Sequence, residues 1–171
     1  MRFDDLEFAP RPITPAGLKG WLLLPLLGLF ITIWLVGHSM YSDLLPLLEP
    51  GTWEALTTPG SPAYASFWAP YIALSLAANL VLLVGAATLI VLALLKKALF
   101  PRLMIGFYIF TLCAVSADLW ALNTFVSAAF PEMTKIAGPD ANKAVSRAVL
   151  ACLIWVPYFL ISKRVKNTFV R

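Results

Sequence analysis

Leu80-Val-Leu-Leu-Val-Gly-Ala-Ala-Thr-Leu-Ile-Val-Leu-Ala-Leu-Leu95, with Tyr71 to Asn79 before it, carries no formal charge and stops abruptly at Lys96-Lys97. A helix rises about 1.5 Å per residue and a bilayer's hydrocarbon core is about 30 Å thick, so a run of this length crosses a membrane with room for tilt. The lysine pair sets one end of that span at water. The rest of the chain is placed by asking which side of the bilayer the pair occupies.

Composition agrees. The chain of 171 residues is 60% apolar and 13% charged, with a mean hydropathy of +0.82. Soluble domains carry about 25% charged residues, so this apolar surface needs lipid as its solvent. A net charge of +4 does not imply nucleic acid, because the basic residues lie in short clusters beside apolar runs, as topology determinants do. Cys113 and Cys152 sit inside apolar runs, where cysteine behaves as a small hydrophobe, and no disulfide is expected.

Residues 1–19 form a polar arm broken by Pro10, Pro12 and Pro15, which forbid a long helix. The apolar segment after it is longer than a signal-peptide h-region and no Ala-x-Ala site follows, so the arm is expected to stay on the mature protein. Phe3, Leu6 and Phe8 are positioned to touch a membrane surface. In all, four spans are expected, at residues 20–41, 70–95, 103–126 and 141–161. The loop 42–69 holds Asp43, Glu49 and Glu54 but no Lys or Arg, and many Pro and Gly. Turns dominate it, with a short interfacial helix expected around Trp53 to Leu56. Trp53, Tyr64, Phe67, Trp68 and Tyr71 make an aromatic belt. Gly138-Pro139-Asp140 reads as a turn, with Asp140 capping the last span.

Arg2, Arg11 and Lys19 in the arm, Lys96, Lys97 and Arg102 in the turn, and Lys163, Arg164, Lys166 and Arg171 in the tail outweigh Lys135, Lys143 and Arg147 on the other side. By the positive-inside rule both termini face the cytoplasm. The expected fold is all-α, a polytopic membrane protein with a compact four-transmembrane-helix bundle, N-in and C-in, followed by a basic tail over 163–171.

Polar residues inside a bilayer are costly and each needs an account. Counting about 1.5 Å per residue from the cytoplasmic ends places Asp118 and Arg147 each about 22 Å up their spans, with Asn79 and His38 in neighbouring layers. The sharp hypothesis is an intramembrane cluster of His38, Asn79, Asp118 and Arg147. The plain reading is a structural Asp118–Arg147 ion pair, a hydrogen-bonded His38 near the interface, and Asn79 joining helices. Small residues at helical spacing support close packing: Ala114, Ala117 and Ala121 on span three, Ala144, Ala148 and Ala151 on span four, and Ser75 and Ala86 on span two. There is one histidine, and no His-x-x-x-His, Gly-x-Ser-x-Gly, Cys-x-x-Cys or phosphate loop. Zinc, haem and hydrolase chemistry lack a motif, and no cofactor or metal is expected.

Gly20-Trp21-Leu22-Leu23 opening span one, with Trp155, Tyr158 and Ser162-Lys-Arg-Val-Lys-Asn-Thr-Phe169 closing span four, resembles the YdgK-like bacterial inner-membrane family, a domain of unknown function. The resemblance covers roughly residues 18 to 170 and implies a four-helix protein of the bacterial inner membrane, with no established activity. Trp21, Trp155 and Tyr158 are suited to anchor at the interface, while Lys163, Arg164 and Lys166 are suited to anionic headgroups or a protein partner. The function expected is a non-enzymatic accessory or scaffold protein that binds lipid, another membrane protein or a second copy. The alternatives are a small transporter or channel made by oligomerisation, and a lipid-acting enzyme with His38 brought near Asp118.

Overall fold

The computed structural model describes residues 17–170, apart from the side chains of Met133, Thr134 and Ile136. The expectation for Phe3, Leu6 and Phe8 lies outside the described residues. All regular structure among the described residues is helical. Four helical stretches are long and apolar enough to cross a membrane: Gly20–Leu48, Trp68–Leu94, Phe100–Ala129 and Ala137–Ile161. The protein is a multi-pass membrane protein with an all-α architecture.

Span one is built on α1 (Leu23–Ser39) and continues beyond residue 41 through a π turn at Met40–Leu44 and a 3₁₀ turn at Leu45–Leu48. The helix persists there because Ser39 and Ser42 donate to the two carboxylate oxygens of Asp43, at 2.8 and 2.7 Å, so a charged residue is tolerated at this depth. The expected interfacial helix is present as α2 (Pro50–Thr57), with proline at its first position, where a missing N–H costs nothing.

Span two is α3 (Trp68–Leu94). Lys96 ends it with φ 53, the left-handed conformation usually left to glycine. The Lys97 amide donates to the Leu92 carbonyl at 3.0 Å and the Lys96 amide to the Ala93 carbonyl at 3.1 Å, a Schellman closure that caps the last turn. The turn feeds α4 (Phe100–Ala121), which leads through a π turn at Leu122–Val126 into α5 (Ser127–Ala129).

The stretch between spans three and four, expected as a polar loop over residues 130–143, is helical from Pro131 onward. α6 runs unbroken from Pro131 to Ile161 and contains Pro139. Asp140 does not cap a helix; it pairs with Lys143 one turn on, at 2.9 Å. The helix survives Pro139 because the carbonyl it frees, that of Lys135, lies where the helix is exposed, while the Asn142 side chain donates to the Gly138 carbonyl at 2.9 Å. The short α7 (Lys163–Thr168) follows, with Ser162 accepting from the Val165 amide as its cap.

Spans pack in chain order, one on two, two on three and, most extensively, three on four. Small residues explain the last contact: Ala148 is buried, and the Cys152 thiol reaches the Tyr108 carbonyl at 3.4 Å across the two helices. Two apolar clusters hold the ends together. One gathers Leu22, Leu26, Leu29, Ala86, Leu89, Phe100, Met104 and Phe159 at the end where the described chain begins and finishes. The other joins Trp68, Ile72, Leu122 and Val126 beneath the aromatic loop. Between them span three buries none of the residues from Ile105 to Ala121.

Candidate functional site

That thinly packed middle holds the intramembrane polar residues. Tyr71, Ser75 and Asn79 fall at intervals of four on α3 and so share a face. The Tyr71 hydroxyl donates to Asp118 Oδ1 on α4 at 2.7 Å. A hydrogen bond to a carboxylate is worth about 1.5–3 kcal/mol, and this one is made beside the aromatic loop, since Tyr71 stands in the first turn of α3. Sequence reasoning placed Tyr71 in the aromatic belt and missed its role as the partner of Asp118. The signal was present, since Tyr71 lies on the same helical face as Asn79.

The four residues expected to cluster are not joined. Among the described residues the ion pairs are Lys135 with Glu132 and Lys143 with Asp140, so Asp118 and Arg147 make no intrachain pair, and both are exposed. The reason is rotational. α4 turns Asp118 toward Tyr71 on span two, whereas span four meets α4 through Tyr108 and Cys152. Asn79 spends its amide on the Ser75 carbonyl of its own helix, at 2.8 Å, rather than linking helices. His38 is exposed and its ring neighbours Trp34, with centroids 6.4 Å apart. Trp68, edge-on to Tyr71, leaves its buried indole N–H without a partner among the described residues. Closer to the chain ends, Val81, Gly85, Leu103, Gly106 and Phe110 line an open groove of about 280 Å³. Its walls are almost wholly apolar and suit an alkyl chain, not a polar substrate.

The second candidate region is the end that carries the termini. Here the tail is a docked clasp rather than a free basic arm. Val165 and Phe169 insert into the apolar cluster, with the Phe169 ring 4.5 Å from that of Phe100. Thr168 Oγ1 accepts from the Gly17 amide at 2.8 Å and donates to the Arg164 carbonyl at 2.7 Å. The Arg164 guanidinium donates to the Lys19 carbonyl at 3.1 Å. Arg164 therefore ties the two chain ends together and is not wholly available to a ligand. Gly20, at φ 63, lies where an added Cβ would come within 3.8 Å of the Arg164 guanidinium carbon. The Gly-Trp-Leu opening and the Lys-Arg-Val-Lys-Asn-Thr-Phe closing are thus two halves of one contact. A scan against family models matches residues 15–170 to DUF2569, described as a protein of unknown function. The chain belongs to the DUF2569 family. No curated protein and no solved structure matches it.

In this DUF2569 protein the clasp leaves Lys163 and Lys166 exposed on α7, beside a turn that exposes Lys96, Lys97 and Arg102. None of these five is ion-paired among the described residues. Trp21 is exposed next to them, and Trp155 and Tyr158 are half-buried with their rings edge to face, 5.7 Å apart. The described Asp and Glu residues lie in the outer loop, in the middle of span three and in the first turns of α6. Among the described residues, that end of the molecule is rimmed by aromatic rings and cations and carries no acid, which gives it a positive surface.

Proposed function

We propose that this protein is a non-enzymatic accessory or scaffold protein of the bacterial inner membrane, N-in and C-in, that binds anionic lipid or an acidic membrane partner at its cytoplasmic end. The observation that carries this reading is the docked tail. Because Val165 and Phe169 are anchored in the core, Lys163 and Lys166 are held in place beside Lys96, Lys97 and Arg102 rather than on a loose chain. Preorganised cations bind a phosphate with less loss of conformational entropy than mobile ones. The test is native mass spectrometry of the protein released gently from its own membrane. Retained anionic phospholipid or a foreign subunit, lost together in Lys163→Gln/Lys166→Gln, supports the reading. A bare chain under the same conditions sinks it.

A second reading, a small transporter or channel formed by oligomerisation, draws on the exposed Asp118 with Tyr71 and Asn79 on the facing span. Four helices alone enclose little pore, so transport requires several copies. Solute flux in proteoliposomes that vanishes in Asp118→Asn would favour it.

A further inference from the structure

The groove between spans two and three points toward the basic turn that joins them. Val81, Gly85 and Leu89 form one wall and Leu103, Gly106 and Phe110 the other, around about 280 Å³. At about 1.5 Å per residue the second wall is about 10 Å long. Arg102, Gly106 and Phe110 fall at intervals of four on α4 and all three are exposed, so Arg102 heads the same helical stripe one turn before the groove begins. Arg102 has no ion pair among the described residues. Lys96 and Lys97 stand in the same turn, and residues 95–102 contain no acid. The amides of Lys96 and Lys97 are tied to the Ala93 and Leu92 carbonyls at 3.1 and 3.0 Å, so the backbone that carries both lysines is fixed.

The chain does not fill this space itself. Glycine in a membrane helix commonly lets a neighbouring helix approach. A Cβ added at Gly106 meets nothing within 4 Å, so no other helix of the chain uses the gap. On the opposite wall a Cβ at Gly85 would stand 3.3 Å from the Phe107 ring, so that side is already covered. An apolar slot with cations at one end is complementary to an amphiphile with an anionic head. Free phosphate would use the cations and ignore the slot, and an uncharged alkyl chain would do the reverse. We propose that this groove binds one anionic phospholipid, with an acyl chain seated between Gly85 and Gly106 and its phosphate at Arg102 and the Lys96-Lys97 turn. The proposal rests on the lipid reading above and names its acyl-chain subsite. The planar guanidinium offers a fork of donors to phosphate oxygens, the lysines add point charges, and the fixed turn reduces the entropy lost on binding.

The experiment is photolabelling in nanodiscs with phosphatidylglycerol and phosphatidylcholine that carry the same diazirine acyl chain, adducts being located by peptide mass spectrometry. The readout is the ratio of anionic to zwitterionic adducts at residues 81–89 and 103–110, divided by that at the exposed apolar residues of span one, such as Phe30 and Trp34. In wild type it should be about fivefold or more, the worth of at least one cation at a membrane surface, and Arg102→Gln should lower it about fivefold. Gly106→Leu starts in open space, so it should leave thermal unfolding near wild type while bringing the ratio to one. If that variant does not fold, the wild-type ratio and Arg102→Gln decide. A wild-type ratio of one, or a ratio unchanged in Arg102→Gln or in folded Gly106→Leu, overturns the proposal. Phosphatidylglycerol retained in native mass spectrometry beside a wild-type ratio of one overturns the groove and leaves the lipid reading standing. No retained lipid and a ratio of one overturn both.

Discussion

The amide of Gly17 donates to the hydroxyl of Thr168 at 2.8 Å, closing a loop of 151 residues with one hydrogen bond. The same hydroxyl donates to the Arg164 carbonyl, and Arg164 reaches back to the Lys19 carbonyl. Thr168 is 3% exposed, so the closure is shielded from water.

Thr168→Val keeps the side-chain shape but strands the Gly17 N–H. An unsatisfied buried donor costs about 1–3 kcal/mol, so thermal unfolding in detergent should fall by several degrees. Lys166→Ala, on the exposed side of the same helix, should leave the midpoint within a degree or two.

Phe169→Ala removes the ring that packs on Phe100 at 4.5 Å and opens a cavity in the terminal cluster. The expected cost is about 3–5 kcal/mol. Released from the core, the tail should become open to protease, so limited proteolysis of the purified variant should remove it while the wild-type tail survives.

Tyr71→Phe deletes the described partner of Asp118. It should destabilise the protein by about 1.5–3 kcal/mol. Asp118→Asn should cost less, because a neutral amide is cheaper at this depth. In Tyr71→Phe/Asp118→Asn the two losses should not add, and the coupling is read from a double-mutant cycle on chemical unfolding in bicelles.

Gly85 lies where span two packs against span three, and a Cβ there would stand 3.3 Å from the Phe107 ring. Gly85→Ala requires that ring to move by a few tenths of an ångström and should cost about 1 kcal/mol, whereas Gly85→Leu should cost about 2–3 kcal/mol by overpacking. A matched change at Gly28, where a Cβ meets nothing within 4 Å, should be nearly neutral in thermal unfolding.

Span number and approximate position were legible in the charge-free runs, and span two shows why: twenty-odd apolar residues ending at Lys96-Lys97 permit no other structure in lipid. The short helix at Pro50–Thr57 was also legible from its proline and tryptophan. Span one ran past Tyr41 because the Ser39 and Ser42 hydroxyls satisfy Asp43. The Gly138-Pro139-Asp140 stretch misled because turn chemistry competes there with a helix already under way from Pro131. Counting along the helices put Asp118 and Arg147 at matching heights. Depth does not set rotation about the helix axis, and rotation turned Asp118 to Tyr71.

The sequence by itself determined that the chain is a four-span membrane protein with its basic clusters at one end. Hydropathy and charge act residue by residue against a fixed bilayer thickness, so they can be read locally. Only the tertiary structure decided that the basic tail is a clasp holding Gly17 and Lys19, that Asn79 bonds its own helix, and that Asp118 and Arg147 stay apart within one chain. Each of these depends on which helix faces meet, a property of packing between residues 47 to 151 positions apart in the clasp and the Tyr71–Asp118 bond, and no local pattern encodes it.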